Sequence, residues 1–192
     1  MSMMSLAARW RFAGRRPERE QARDFVLSRM PRGGVCAEIG VDEGKLSKRI
    51  FSIAEPALCY LIDPWFPDSS GRRDRRAARA AALETLAVEL RSGRAILLET
   101  TSEDAASKIA AGALDWLYVD GNHRYEFVSR DLELYWPKVK RGGYVVCDDY
   151  HFAGDWDDGV TRAVDEFMRR GFARKLYKRR SQFVMKKLRE AP

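Results

Sequence analysis

Apolar residues fall along this chain in short, nearly unbroken runs: Val35–Ile39, Leu58–Ile62, Ala95–Leu98, Leu114–Val119 and Tyr144–Cys147. None alternates strictly with polar residues, which predicts strands covered on both faces rather than half-exposed ones. Patterns of helical period lie between them. Tyr125, Val128, Leu132 and Tyr135 are three or four positions apart and define one helix face, ended by Pro137. Val160, Ala163, Val164, Phe167 and Met168 define another. A helix over Glu18–Arg29 is framed by Pro17 before it and Pro31 after it. The alternation of strand and helix predicts a doubly wound α/β fold, with its ligand crevice at the carboxyl ends of the strands. The end of the chain departs from that rhythm. Arg174–Tyr177 and Gln182–Met185 flank "KRRS", which predicts an antiparallel hairpin at the sheet edge.

Composition narrows the picture. A chain of 192 residues is expected to form a single domain, with an N-terminal arm and helix over 1–31 and the core over 32–192. Apolar and charged fractions of 45% and 33% belong to a globular protein. No apolar run approaches the ~18 residues of a membrane span. The start, "MSMMSLAARWRFAGRR", lacks the apolar core of a signal peptide, but it is basic and free of acids, so an organelle transit segment stays open beside a plain arm. Cys36, Cys59 and Cys147 are odd in number and each sits within an apolar run, with no CxxC among them. Reduced core thiols and a cytoplasmic location are expected, rather than disulfides or zinc. The net charge of +7 permits an anionic partner without requiring one.

Candidate chemistry gathers at the strand ends. The first strand runs into "AEIGVDEGKLS", where Gly40 and Gly44 allow a sharp turn and a close approach to a ligand. Asp42 and Glu43 stand where a dinucleotide-binding turn would meet a pyrophosphate, so a cationic ligand without phosphates suits this entrance better. Asp63 ends the second strand, where an acid can accept hydrogen bonds from both hydroxyls of a ribose. A loop or capping role is its plain alternative. Asp120 follows the fourth strand, and Asp148 with Asp149 follows the fifth. Both histidines of the chain, His123 and His151, lie just beyond these acids. Two parallel strands joined by a helix would bring all five into one cleft.

With those residues in view, Val35 to Met185 resembles the class I S-adenosylmethionine-dependent methyltransferases. Glu38, Gly40 and Gly44 match the motif E/D-x-G-x-x-x-G of that superfamily, and Asp63 its second-strand acid. The later stretch is similar to the compact O-methyltransferase branch related to macrocin and catechol O-methyltransferases. Its "DG-x-H-x-Y", "W/L-P-x-L-x-x-GG", "DD" and "GV-x-x-A-V-x-x-F" elements fall at Asp120–Tyr125, Trp136–Gly143, Asp148–Asp149 and Gly159–Phe167. The resemblance implies a seven-stranded, mostly parallel, Rossmann-like sheet of order 3-2-1-4-5-7-6 with the last strand antiparallel. It implies that Glu38, Gly40, Gly44, Asp63 and Asp120 hold S-adenosylmethionine, with Ser102 and Glu103 beside the adenine. It implies Mg2+ or another divalent cation on Asp120, Asp148 and Asp149, and His123 as the base that takes the acceptor's proton. Carboxylate oxygens suit magnesium and an imidazole suits proton transfer near neutrality. Carboxylates at strand ends also commonly cap helices, Ser102 reads equally as a helix N-cap, and related methyltransferases work without metal. Asn122 stands where the macrocin branch often has an Asp, which leaves no carboxylate base there. His151 is the weaker candidate, a wall of the pocket.

Arg72, Arg73, Arg75, Arg76 and Arg79 cluster at a predicted helix start, where cations are locally unfavourable. They read either as a solvated face or as a site for an anionic acceptor. Trp65, Phe66, Tyr150, Phe152 and Trp156 fall in rim loops and could wall the acceptor. The expected partner is a small-molecule or glycan hydroxyl acceptor, and a homodimer is compatible with the sequence. An RNA-directed methyltransferase and a Rossmann-type cofactor-binding protein or oxidoreductase are the alternatives. Scattered basic residues without an RNA module argue against the first, so nucleic acid is not the expected partner. The Asp-Asp pair and the acidic glycine turn argue against the second.

Overall fold

The computed structural model describes residues 18–66, 74–152 and 157–190. A helix over residues 18–27, α1, leads into β1 (Val35–Ile39) and α2 (Lys45–Arg49), which runs on as a π-helical turn over Ile50–Ala54. Next come β2 (Leu58–Ile62), α3 (Arg75–Thr85), α4 (Ala87–Arg91) and β3 (Ala95–Leu98). The second half holds α5 (Ser102–Ala106), β4 (Leu114–Val119), α6 (Tyr125–Tyr135), β5 (Val139–Cys147), α7 (Gly159–Arg169), β6 (Ala173–Arg179) and β7 (Gln182–Lys187).

The strands form one seven-stranded sheet of order β3-β2-β1-β4-β5-β7-β6. β7 is antiparallel to both β5 and β6, and the other pairs are parallel. This is the predicted order and orientation. Successive residues of the central strands face opposite sides, so each strand feeds two cores. Ala37, Leu117, Val119, Val145 and Cys147 pack with α5, α6 and α7 on one face. Cys36, Trp116, Tyr118 and Val146 pack with α1, α2 and α3 on the other. Burial on both faces is why the sequence shows continuous apolar runs. Cys36, Cys59 and Cys147 are free and buried, and no helix among the described residues is long and apolar enough to cross a membrane.

Two local expectations need adjustment. β5 begins at Val139 rather than Tyr144, so the "KRGG" segment lies inside the strand, paired to β4 across a register shift between Leu114 and Trp116. An irregular pairing hides such a segment from a pattern search because its outer residues, Lys140 and Arg141, are polar and exposed. The cap of α5 is Thr101, whose hydroxyl accepts from the Asp104 amide at 3.1 Å. Ser102 is the first helical residue instead, which releases its side chain for another role.

Candidate active site

The carboxyl ends of β1, β2 and β4 open on one cleft of about 880 Å³, and Gly40, Asp63, Ser102, Asp120, His123 and Asp149 stand on its wall. Gly40 is where β1 turns away from β4. Its φ is +93°, and a Cβ there would lie 2.2 Å from the carbonyl oxygen of Asp120, so glycine alone permits this crossing. Gly44 has a different task. It is absent from the cleft wall, and a Cβ on it would press on Leu86 and Ala82, so it lets α2 pack on α3.

Asp63, at the tip of β2, is nearly fully buried. Its Oδ2 accepts from the amides of Val41 and Asp42 at 3.1 and 2.9 Å, and its Oδ1 from the Trp65 amide at 2.8 Å. The guanidinium of Arg75, from the first turn of α3, adds contacts of 2.8 and 3.1 Å to the same two oxygens and pairs with Asp42 at 2.6 Å. Arg79 pairs outward with Glu99. Thus two members of the basic cluster serve acids of the chain itself, while Arg72 and Arg73 lie outside the described residues. Asp74 caps α3 by accepting from the amides of residues 76 and 77, which offsets the unfavourable cations.

Glu38 is wholly buried at the end of β1. Ser47 donates to its Oε2 at 2.5 Å, and Oε1 is buried without a hydrogen-bond partner among the described residues. Burial pushes this carboxyl up to about 8, against the pull of Ser47. Glu38 is absent from the cleft wall, so its carboxyl lies behind the turn at Gly40 and braces α2 through Ser47 rather than meeting a ligand directly.

Ser102 lines the cleft and donates to Asp131 Oδ1 at 2.5 Å. Asp131 comes from α6, lines the same wall and is raised to about 6 by burial. Glu103, expected beside it, points elsewhere: it is exposed and pairs with Arg130 at 2.9 Å.

At the other end of the cleft, His123 Nε2 stands 3.3 Å from Asp120 Oδ1 and 3.5 Å from Asp149 Oδ2. Burial opposes the imidazolium, but the hydrogen bond to Asp120 and the charges of Asp120, Asp149 and Asp148 outweigh it and raise His123 above its ordinary value. Asp149 is raised by burial and by the neighbouring Asp148 charge. It also adopts a left-handed backbone conformation, φ 55°, as do Asp42 and Trp65 near the same rim. Such conformations are costly for residues other than glycine and recur at functional sites. His151 is exposed, stacks on Tyr150 at 4.2 Å between ring centres and is absent from the cleft wall.

The expected all-aspartate metal site is not what the chain presents. Asp148 is fully buried and absent from the cleft wall. Its Oδ1 accepts from the Asp149 amide at 2.8 Å and from the Gln182 side-chain amide, which in turn accepts from the Tyr118 hydroxyl. Its Oδ2 belongs to Arg23, whose Nη2 also reaches Asp120 Oδ2 at 2.6 Å. Arg19, one helical turn earlier on α1, places Nη2 at 3.0 Å from Asp149, 3.2 Å from Asp148 and 3.7 Å from Asp120. Asp120, His123 and Asp149 keep ligand-type atoms within 4.8 Å of one another, but two of these three are the acids Arg19 touches. With both arginines in place, the carboxylates do not fit a divalent cation. Burial pushes Asp148 up, yet the two guanidinium charges outweigh it and hold it ionised.

The aromatic rim also differs from expectation. Trp65 is buried with its indole N–H donating to the Asp42 carbonyl, and Tyr150 is buried with its hydroxyl on Asp165. Phe66 lines the cleft, joined by Phe127 of α6, while Trp156 lies outside the described residues. Sequence reasoning missed Arg19, Arg23, Asp131 and Phe127, and it turned Arg75 toward solvent or an acceptor rather than toward Asp63. For the first two a signal existed: Arg19, Ala22, Arg23 and Val26 share one face of α1, the face that turns inward.

Comparison with known proteins bears on the family and the fold. Residues 37–150 match the family model described as a methyltransferase domain. Among curated proteins, a 55-residue segment is 40% identical to an uncharacterized protein of Acanthamoeba polyphaga mimivirus. It covers 29% of this chain and 24% of that one, so the chain spans about a quarter of the length of that relative. Among solved structures, a proposed caffeoyl-CoA O-methyltransferase of Staphylococcus aureus superposes with a TM-score of 0.66 at 13% identity, covering 97% of this chain and 93% of that one. A proposed rRNA methylase of Clostridium thermocellum gives 0.63 at 14%, covering 88% and 96%. A proposed methyltransferase of Streptococcus mutans in complex with SAH gives 0.60 at 12%, covering 88% and 97%. At such identities the likeness is one of fold.

Proposed function

The chain belongs to the methyltransferase-domain family, and from that premise we propose that it transfers the methyl group of S-adenosylmethionine to a hydroxyl of a small-molecule, sugar or natural-product acceptor. The observation that carries the reading is the convergence on one cleft of two separate acidic sites, Asp63 at the tip of β2 and the Asp120–His123–Asp149 group beyond β4 and β5. The first suits a ribose. The second suits proton transfer.

Asp63 would accept from the ribose hydroxyls once Arg75 turns aside. Ser102 and Asp131 would bound the adenine. Methyl transfer is an in-line displacement: the acceptor oxygen forms the new bond to carbon, the carbon–sulfur bond breaks, and its electron pair stays on sulfur. The acceptor's proton must leave. His123, oriented by Asp120 and Asp149, would take it, a contribution of roughly 10²–10⁴ in rate for a positioned base.

Structural neighbours include both O-methyltransferases and an rRNA methylase, so choosing a small hydroxyl acceptor rests on the His123 group. Incubation with methyl-labelled S-adenosylmethionine, a panel of sugars, phenols and polyketides, and separately rRNA, tests the choice. Label recovered as a methyl ether on a small acceptor is expected. Label entering rRNA alone would replace this reading.

A further inference from the structure

We propose that Arg19 and Arg23 are the resident cations of the acidic cluster, taking the place of a divalent metal ion and positioning Asp120, Asp149 and His123 without one. The geometry is specific. One nitrogen, Arg19 Nη2, lies 3.0 to 3.7 Å from an oxygen of each of the three aspartates, so it stands inside the space that a shared metal ion would need. Arg23 closes the cluster from behind, bridging Asp148 and Asp120 with one guanidinium. Planar forks that reach two carboxylates at once are the geometry arginine supplies and lysine does not.

Charge favours the same assignment. Three carboxylates face two guanidinium groups, and the His123 ring stands against two of those acids. A divalent ion added to this set would be repelled by both arginines in a poorly screened pocket. The two arginines differ in exposure, with side chains 38% and 16% exposed, so Arg23 anchors the cluster while Arg19 reaches in from the rim. Both are positioning residues: they act through the acids that orient His123. The methyltransferase reading enters only in making this cluster the acceptor end of the cleft.

The test titrates Mn2+ alone against the full chain by electron paramagnetic resonance. Wild type, Arg19→Met, Arg19→Met/Arg23→Met and Arg19→Met/Asp149→Asn are compared, and cooperative melting confirms that each is folded. The wild type is expected to bind no Mn2+ at sub-millimolar concentration. Removing the arginines should create one site at least about tenfold tighter, a gain of ~1.4 kcal/mol, and Asp149→Asn should abolish it. A merely structural role for the arginines would not create a metal site. Tight, stoichiometric Mn2+ binding by the wild type would overturn the proposal, as would folded arginine variants that gain nothing. Should the double variant fail to fold, Arg19→Met decides alone, because its Nη2 is the central atom. SAH binding, measured separately by calorimetry, judges the methyltransferase reading, so the two claims fail independently.

Discussion

Arg75 Nη2 lies 2.8 and 3.1 Å from the two carboxylate oxygens of Asp63, the pair assigned to a ribose. Each oxygen already accepts at least one backbone amide, so a ribose and this guanidinium compete for the remaining directions. Arg75→Met should therefore tighten SAH binding by roughly 3- to 10-fold and flatten its salt dependence, because an ion pair no longer has to break. Calorimetry at two ionic strengths measures both. Weaker binding by the variant would mean that Arg75 stays on Asp63 when the cofactor enters.

Glu38 makes stability depend on pH in a direction opposite to that of an ordinary paired carboxylate. Its folded value, about 8, is raised above the 4.5 of an unperturbed glutamate. The folded state therefore keeps a proton that the unfolded chain releases. Its contribution is complete below 4.5 and is lost as pH climbs to 8, on the order of a few kcal/mol. Urea unfolding at pH 5 and 8.5 should show this loss in the wild type and far less of it in Glu38→Gln. Parallel losses in both proteins would assign the slope elsewhere.

His123→Ala should keep SAH affinity, because the proposed cofactor contacts at Asp63, Ser102 and Asp131 do not include it, and lose roughly 10²–10⁴ in kcat. A base must be neutral, and the value of His123 is raised, so wild-type kcat should climb with pH to a plateau above the ordinary range of histidine. In the variant that limb should vanish, with partial recovery at high pH where hydroxide replaces the imidazole. An unaltered rate and pH profile would remove His123 from the proton path.

Much of this was readable in the residues, and for a physical reason. Strands such as Leu114–Val119 are buried on both faces, and the carboxylates at their tips sit where a parallel sheet must open its crevice. The partners of those carboxylates were not readable. Arg23 lies 125 positions from Asp148 and Arg75 lies 12 from Asp63, and a basic residue carries no mark of which acid it will meet. The arm that looked peripheral puts two cations at the site, and one arginine of the cluster that looked like an acceptor patch turns inward instead. Glu103 and Ser102 are neighbours in sequence, yet the turn of α5 sends one to solvent and the other to Asp131. Only side-chain direction on a helix separates them.

The central claim is that the cleft beside Asp63 binds S-adenosylmethionine. Calorimetric titration of the wild type and of Asp63→Ala with SAH tests it most directly, with NADH as the competing cofactor. One SAH per chain is expected, at least tenfold weaker in the variant, since two ribose hydroxyls lose their acceptor at ~1–3 kcal/mol. SAH affinity unchanged in a folded Asp63→Ala, or heat with NADH and none with SAH, would contradict it.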